Sequence, residues 1–178
     1  GGPGNGGLVG VYLLDAGNWI HRGGEIYILG TLLVCSVSLS ALGDVLAVGG
    51  KPTNADADPA VVKIFRLESE EWLELGEGVN GDKQDTTYHA ALSGDGTIVA
   101  ISNYYVVDPV RGSAQAVWNA AVDARTLEGS PEQNQWVQLG ESLHANAPGP
   151  KDGDCISVSD DGAISSRSDR GTPGESAG

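Results

Sequence analysis

Methionine, basic residues and cysteine are scarce or missing in this sequence. The 178 residues include no Met, ten Lys and Arg, and two Cys, and 24 acidic residues give a formal net charge of −14. Binding to nucleic acid or to an anionic membrane surface needs clustered Lys and Arg, so the composition excludes both functions. Because Met is absent even at position 1, we expect a fragment or a processed piece of a longer protein.

Residues that commonly carry catalysis are too dispersed to form a recognisable motif. Cys35 and Cys155 do not lie in a Cys-x-x-Cys pair and are too few for a zinc cage, so a mutual disulfide and two free thiols both remain open. His21, His89 and His144 form no His-x-His or His-x-x-x-His pair. Without a nucleophile motif such as Gly-x-Ser-x-Gly, the sequence predicts no catalytic residue.

The stretch from Ile26 to Leu42 has no charged residue and lies near the lower length limit for a membrane-spanning helix. Within it, Val37 and Leu39 alternate with serines, and alternation at every second residue indicates a strand. We therefore predict no insertion into a membrane.

Aromatic residues and glycines recur along the chain at a fixed spacing. Three sets of residues lie 53 positions apart: Trp19 and Trp72; Gly43 and Gly96; and Tyr12, Phe65 and Trp118. The spacing from Trp118 to Trp136 is 18 residues, against 7 from Phe65 to Trp72, so the third copy carries 11 extra residues. These extra residues are polar and predict an elongated hairpin loop between two outer strands.

Each period contains four short runs with strand character, separated by turn signals such as Gly94-Asp95-Gly96. In and around the second period the runs are Val61–Leu67, Trp72–Leu75, Tyr88–Ser93 and Thr97–Ser102. A period of about 40 to 55 residues with four strands is typical of propeller blades. We predict an all-β fold, a partial β-propeller of four-stranded antiparallel blades.

The segment from Ser36 to Gly50, SVSLSALGDVLAVGG, followed by a loop and VVKIFRLESEEW, resembles a repeat of the FG-GAP type found in integrin-like propellers. Gly50-Lys51-Pro52 stands where that family has Gly-Ala-Pro, and Val34-Cys35 stands near the expected Phe-Gly pair. The resemblance covers residues 11–165. It alone suggests an extracellular or cell-surface location.

The predicted organisation has three parts: a disordered Gly-rich start at residues 1–10, tandem propeller-type repeats at 11–165, and a disordered tail at 166–178. Two full blades, at about 34–80 and 87–145, lie between partial blades. A closed propeller has about four to eight blades. We therefore expect that further blades or self-association complete the ring.

A calcium site is the one metal site suggested by the sequence. Asn54, Asp56 and Asp58 place oxygen ligands at alternate positions, as in the first part of a calcium loop, and the FG-GAP resemblance implies acidic loops of this kind. Pro59 replaces the glycine of the turn, no Glu occupies the twelfth position, and the family's loop lies elsewhere in the blade. A solvated acidic loop is the favoured interpretation, and no other cofactor is predicted.

The periodic tryptophans, Trp19, Trp72 and Trp136, are either platforms for sugar stacking or packing residues between blades, and their recurrence favours packing. The function predicted is a non-catalytic module that binds a protein or carbohydrate ligand within a larger surface or secreted protein. Two alternatives stay open: the propeller part of an enzyme whose catalytic residues lie outside these 178 residues, and a purely structural repeat.

Overall fold

The computed structural model describes residues 6–29, 31–52, 61–80, 85–105, 117–122, 136–138, 156–162 and 165–167. Within these ranges the regular secondary structure is entirely β-strand, and every strand pairing is antiparallel. The prediction of an all-β fold is therefore confirmed, while the propeller arrangement is taken up below as a proposal.

Four short strands form the first layer, here called the N-terminal layer: β1 (Gly6–Val9), β2 (Tyr12–Asp15), β3 (Asn18–His21) and β4 (Ile26–Leu29). β1 pairs with β4, and β2 pairs with β3 through a two-residue turn in which Ala16 and Gly17 both have positive φ. Strand β1 lies inside the segment predicted to be disordered, where Val9 is buried. Residues 1–5 and 168–178 lie outside the described ranges.

The next strands form sheet I, in the order β5 (Thr31–Leu39), β6 (Val45–Pro52), β7 (Val61–Glu68) and β8 (Glu71–Glu74). A short strand, β9 (Val79–Asn80), also pairs with β7. The uncharged stretch that begins at Ile26 thus supplies β4 and β5, and no helix in the described residues could span a membrane. Ser69 and Glu70 form a tight turn with positive φ, the conformation that matches the twist of a hairpin.

Sheet II has the order β10 (Asp85–Leu92), β11 (Ile98–Tyr105), β12 (Val117–Val122) and β13 (Trp136–Gln138), and β14 (Ile156–Val158) pairs with β15 (Ser165–Arg167) in a C-terminal hairpin. The 11 extra residues fall between β12 and β13, which pair directly, while the loop itself at 123–135 is outside the described residues. Sheets I and II have the same register: Leu39 pairs with Leu46, and 53 residues later Leu92 pairs with Val99.

The apolar core consists of two clusters, each between two successive layers. The first joins the N-terminal layer to sheet I and contains Val9, Val11, Ile26, Ile28, Leu46, Val48 and Phe65. The second joins sheets I and II and contains Val45, Ala47, Val62, Ile64, Leu75, Ala90, Leu92, Val99 and Ile101. Because a strand points alternate side chains to opposite faces, β6 contributes Leu46 and Val48 to one cluster and Val45 and Ala47 to the other. Sheet I is therefore packed on both faces.

Candidate functional site

The calcium candidate Asn54, Asp56 and Asp58 lies at positions 53–60, outside the described residues. Across the ranges that the structure does describe, no group of three or more His, Cys, Asp or Glu side chains is placed to hold a metal ion. The calcium site therefore stays a prediction from sequence.

The predicted separation of the histidines holds for the two that can be placed. His21 lies on β3, and its ring meets that of Tyr12 edge to face, with centroids 5.0 Å apart and an interplanar angle of 83°. His89 lies half-buried on β10, in another layer, and His144 is outside the described residues. His21 and His89 are therefore on different layers, consistent with the absence of a paired metal motif.

Three serine turns give the structure its most regular polar feature. In each turn the serine hydroxyl donates to a nearby aspartate: Ser40 to Asp44 at 2.7 Å, Ser93 to Asp95 at 2.7 Å, and Ser159 to Asp161 at 2.6 Å. In the first two turns the same hydroxyl also accepts a backbone N–H five residues later, from Val45 and from Ile98. The serine fixes the tight turn between the first two strands of its sheet.

Backbone hydrogen bonds join the three turns edge to edge. The Ala41 N–H donates to the Gly94 carbonyl at 2.8 Å, and the Gly94 N–H donates to the Asp160 carbonyl at 2.8 Å. The three turns therefore line up along one side of the stacked layers. We call this side the turn face, defined by residues 40–44, 93–97 and 159–162; its aspartates are Asp44, Asp95, Asp160 and Asp161.

Within the turn face, the environment of Asp95 favours its charged form. The Ser93 hydroxyl and the Thr97 N–H both donate to Asp95, and the Thr97 hydroxyl adds a third hydrogen bond at 2.8 Å. These donors, the Ser93 hydroxyl most strongly, hold the pKa of Asp95 below its usual value. Asp95 is thus an anchored anionic group on an exposed turn.

The tryptophan indoles connect successive layers. Trp72 on β8 donates its Nε1–H to the Arg22 carbonyl at 2.9 Å, and Trp136 on β13 donates to the Leu75 carbonyl at 3.1 Å. Arg22 and Leu75 are 53 residues apart, and each lies three positions after a periodic tryptophan. The packing interpretation is confirmed for Trp72 and Trp136, whereas Trp19 is 69% exposed.

An apolar groove of about 290 Å³ lies between the N-terminal layer and sheet I. The apolar and aromatic side chains that line it are Val9, Val11, Tyr12, Val37, Leu39 and Leu46. Val37 and Leu39 project from β5 and are 56% and 45% exposed. The lining contains no carboxylate, histidine or thiol, so the groove offers contact area rather than acid–base or nucleophilic chemistry.

Sequence reasoning did not identify this groove. The alternation of Val37 and Leu39 with serines predicts the face to which each side chain points, but not whether another layer covers that face. A usable signal was present in the spacing, because the 53-residue counterparts of Val37 and Leu39 are Ala90 and Leu92, which are buried.

The remaining polar contacts are isolated pairs. The Tyr27 hydroxyl donates to Glu25 at 2.9 Å, and this hydrogen bond, together with the carboxylate charge, raises the pKa of the Tyr27 phenol. Lys63 pairs with Glu74 across neighbouring strands at 2.8 Å. Neither pair adjoins a second reactive group among the contacts described, so neither forms a catalytic arrangement.

Comparisons with known proteins do not assign the chain to a family. No model of a known family matches the sequence, and no curated protein matches it significantly.

Proposed function

We propose that this chain is a non-catalytic repeat module of the FG-GAP type, stacked as part of a β-propeller, that binds a protein or carbohydrate ligand through its turn face. The observation that carries the proposal is the edge-to-edge alignment of the three serine turns, at Ser40, Ser93 and Ser159. In proteins built from stacked repeats, equivalent turns of successive units form one extended binding surface.

The recurrence of contacts between layers supports the repeat part of the proposal. The indole-to-carbonyl bond and the two apolar clusters occur twice, with most of their members 53 residues apart. Two serines on β5 add a direct link between sheets, because Ser36 accepts the Ala90 N–H and Ser38 accepts the Leu92 N–H, each at 2.9 Å. Four-stranded antiparallel sheets that stack side by side in this way are the arrangement of propeller blades.

The chemistry of the turn face supports a binding role. Its aspartates lie on rigid turns and present carboxylates to solvent, where they suit basic protein side chains or sugar hydroxyls. Among the described residues, no cluster of titratable side chains accompanies them that would supply a nucleophile and a base. An enzyme with its active site elsewhere and a purely structural repeat are the alternatives against which the test is set.

The test compares two variants with equal loss of charge. One carries Asp95→Asn, Asp160→Asn and Asp161→Asn on the turn face, and the other carries Glu68→Gln, Glu70→Gln and Glu71→Gln around the β7–β8 turn. Each is screened, beside the unmodified protein, against a glycan array and an array of extracellular protein domains. We expect the unmodified protein and the β7–β8 variant to retain the same ligand, and the turn-face variant to lose it.

Equal loss in both variants would show that net charge, rather than the turn face, determines binding. No ligand on either array would favour the structural alternative. Turnover of an arrayed glycan or protein would favour the enzyme.

A further inference from the structure

The N-terminal layer corresponds to only the outer half of a four-stranded sheet. At a shift of 53 residues β2 and β3 match β7 and β8, with the same register: Leu14 pairs with Trp19, as Leu67 pairs with Trp72. β1 and β4 likewise match the pairing of β7 with β9, since Val9 pairs with Ile26 as Val62 pairs with Val79. Within the described residues, no strands in this layer match β5 and β6, the inner pair of sheet I.

The apolar groove lies where that inner pair would pack. Between sheets I and II, Val45 and Ala47 of β6 join the buried cluster that includes Ala90 and Leu92 of β10. One period earlier, Val37 and Leu39 occupy the positions of Ala90 and Leu92, yet both are about half exposed and line the groove. The groove is therefore an interface between layers from which one strand pair is missing.

The C-terminal hairpin is the complementary half. Val158 pairs with Ser165 as Leu92 pairs with Val99, at a shift of 66 residues, so β14 and β15 match the inner strands β10 and β11. Ser166 holds the register position of Ala47 and Ala100, where sheets I and II have a small residue. Within the described residues, β15 pairs with β14 alone, whereas β11 pairs with both β10 and β12.

We propose that the groove binds the β14–β15 hairpin of a second copy of this chain. The two halves then form one four-stranded sheet in the order β14-β15-β2-β3, with β14 and β15 from one copy and β2 and β3 from the other. In the register that pairs Leu46 of β6 with Phe65 of β7, Ser165 lies opposite Tyr12 of the other copy. Val37 and Leu39 become covered, as Ala90 and Leu92 are.

The tryptophan pattern supports the same occupant. Trp72 and Trp136 each donate a hydrogen bond to the carbonyl of the preceding layer, while Trp19 stands 69% exposed. The β14–β15 hairpin contacts β10 and β11, so a docked hairpin brings sheet II of the second copy to the Trp19 side of the groove. Trp19 then has a preceding layer, as the other two tryptophans do.

This association is head to tail, because the groove and the hairpin are different surfaces of the chain. Each copy keeps one free groove or one free hairpin until a ring closes, so the mass should grow with concentration. The proposal uses the stacking of the layers and does not depend on any ligand of the turn face, so loss of ligand binding and loss of association are separate results.

The test uses full-length variants and measures mass by light scattering over a range of protein concentrations. Leu39→Glu places a charge in the groove, and Ser166→Pro blocks the edge of β15 because proline cannot extend a sheet. Leu73→Glu on β8 is the matched control, since Leu73 is 47% exposed, against 45% for Leu39, and does not line the groove. Val37→Glu repeats the groove test at a second position, and circular dichroism verifies that each variant is folded.

We expect the unmodified protein and Leu39's control, Leu73→Glu, to associate as concentration rises, and the Leu39→Glu, Val37→Glu and Ser166→Pro variants each to stay monomeric. A mixture of Leu39→Glu and Ser166→Pro retains one intact groove and one intact hairpin, so it should form a dimer and nothing larger. A monomeric unmodified protein at every concentration would overturn the proposal. Association that survives both groove variants, or a mixture that forms no dimer, would also overturn it.

Discussion

At the scale of single residues, a few polar contacts link layers that otherwise meet through apolar side chains. Trp72 does both, since its ring packs on the first cluster and its Nε1–H reaches the Arg22 carbonyl. Gly23 lies directly beneath that ring: a Cβ added there would come within 2.5 Å of the indole nitrogen. The approach of the two layers is therefore set by the indole on one side and the missing side chain on the other.

Replacing Trp72 with alanine should destabilise the protein more than replacing Trp19. Truncating a core tryptophan costs about 3 to 5 kcal/mol, and for the half-buried Trp72 we expect roughly 2 to 3 kcal/mol. Trp19, which is 69% exposed, should cost less than about 1 kcal/mol. Urea unfolding followed by circular dichroism measures both, at a concentration where the protein is monomeric. Equal costs would show that Trp72 does not hold the two layers together.

Asp95 should make stability depend on acid pH. Its pKa is lowered in the folded protein, so its ionised form favours folding above the ordinary aspartate pKa of about 3.9, and this contribution disappears as pH falls through the lower folded value. Asp95→Asn should be less stable than the unmodified protein at neutral pH, with a gap that closes below about pH 4. Because the group is exposed, the gap is small.

The donors to Asp95 can be separated by NMR titration of its carboxyl. Ser93→Ala should raise the pKa of Asp95 more than Thr97→Val, since the Ser93 hydroxyl is the largest cause of the lowered value and Thr97→Val keeps the backbone donor. The opposite order would show that the Thr97 hydroxyl, and not Ser93, anchors the carboxylate.

At the scale of strands and turns, the glycines of the serine turns determine how closely neighbouring layers approach. Gly96 has a φ of 71°, and a Cβ there would lie 2.8 Å from the Val45 side chain of sheet I. Gly162 repeats this arrangement against Ile98, the 53-residue counterpart of Val45. Each turn therefore packs on the strand of the preceding sheet and tolerates no side chain at this position.

Gly96→Ala and Gly17→Ala form a matched pair that separates backbone strain from this close approach. Both glycines have positive φ, but nothing lies within 4 Å of a Cβ added at Gly17. Gly17→Ala should cost about 1 kcal/mol from strain alone. Gly96→Ala adds the clash with Val45, and we expect roughly 2 to 4 kcal/mol in total by urea unfolding. If the two variants are equally stable, the turns do not limit the approach of the layers.

The sequence predicted the strands well because alternation and glycine-rich turns are local signals. The predicted runs Val61–Leu67 and Tyr88–Ser93 differ by one to three residues from the ends of β7 and β10. What it did not predict depends on contacts between distant segments. The Ser36 and Ser38 hydroxyls accept N–H groups 54 residues away, and the exposure of Val37 depends on which strands precede its layer. Neither property is encoded in a short window of residues.

At the scale of the whole molecule, each layer contacts the next one along the chain, as in a one-dimensional stack. The first cluster joins the N-terminal layer to sheet I, the second joins sheet I to sheet II, and the β14–β15 hairpin contacts sheet II beyond them. In such a stack, stability is the sum of the layers and of their nearest-neighbour interfaces. A layer covered on both faces should therefore open less often than one covered on a single face.

Native-state hydrogen exchange should show this gradient. We expect the slowest exchange for β6 and β11, whose Val48 and Ile101 are almost fully buried and which pair on both edges, and the fastest for the exposed β2–β3 hairpin and for β14–β15. Docking of a second copy covers both of these fast-exchanging hairpins. Raising the protein concentration should therefore slow exchange at β2–β3 and β14–β15 in the unmodified protein but not in Leu39→Glu. Uniform protection across the layers would contradict the stack, because it would mean that the whole molecule opens as one unit.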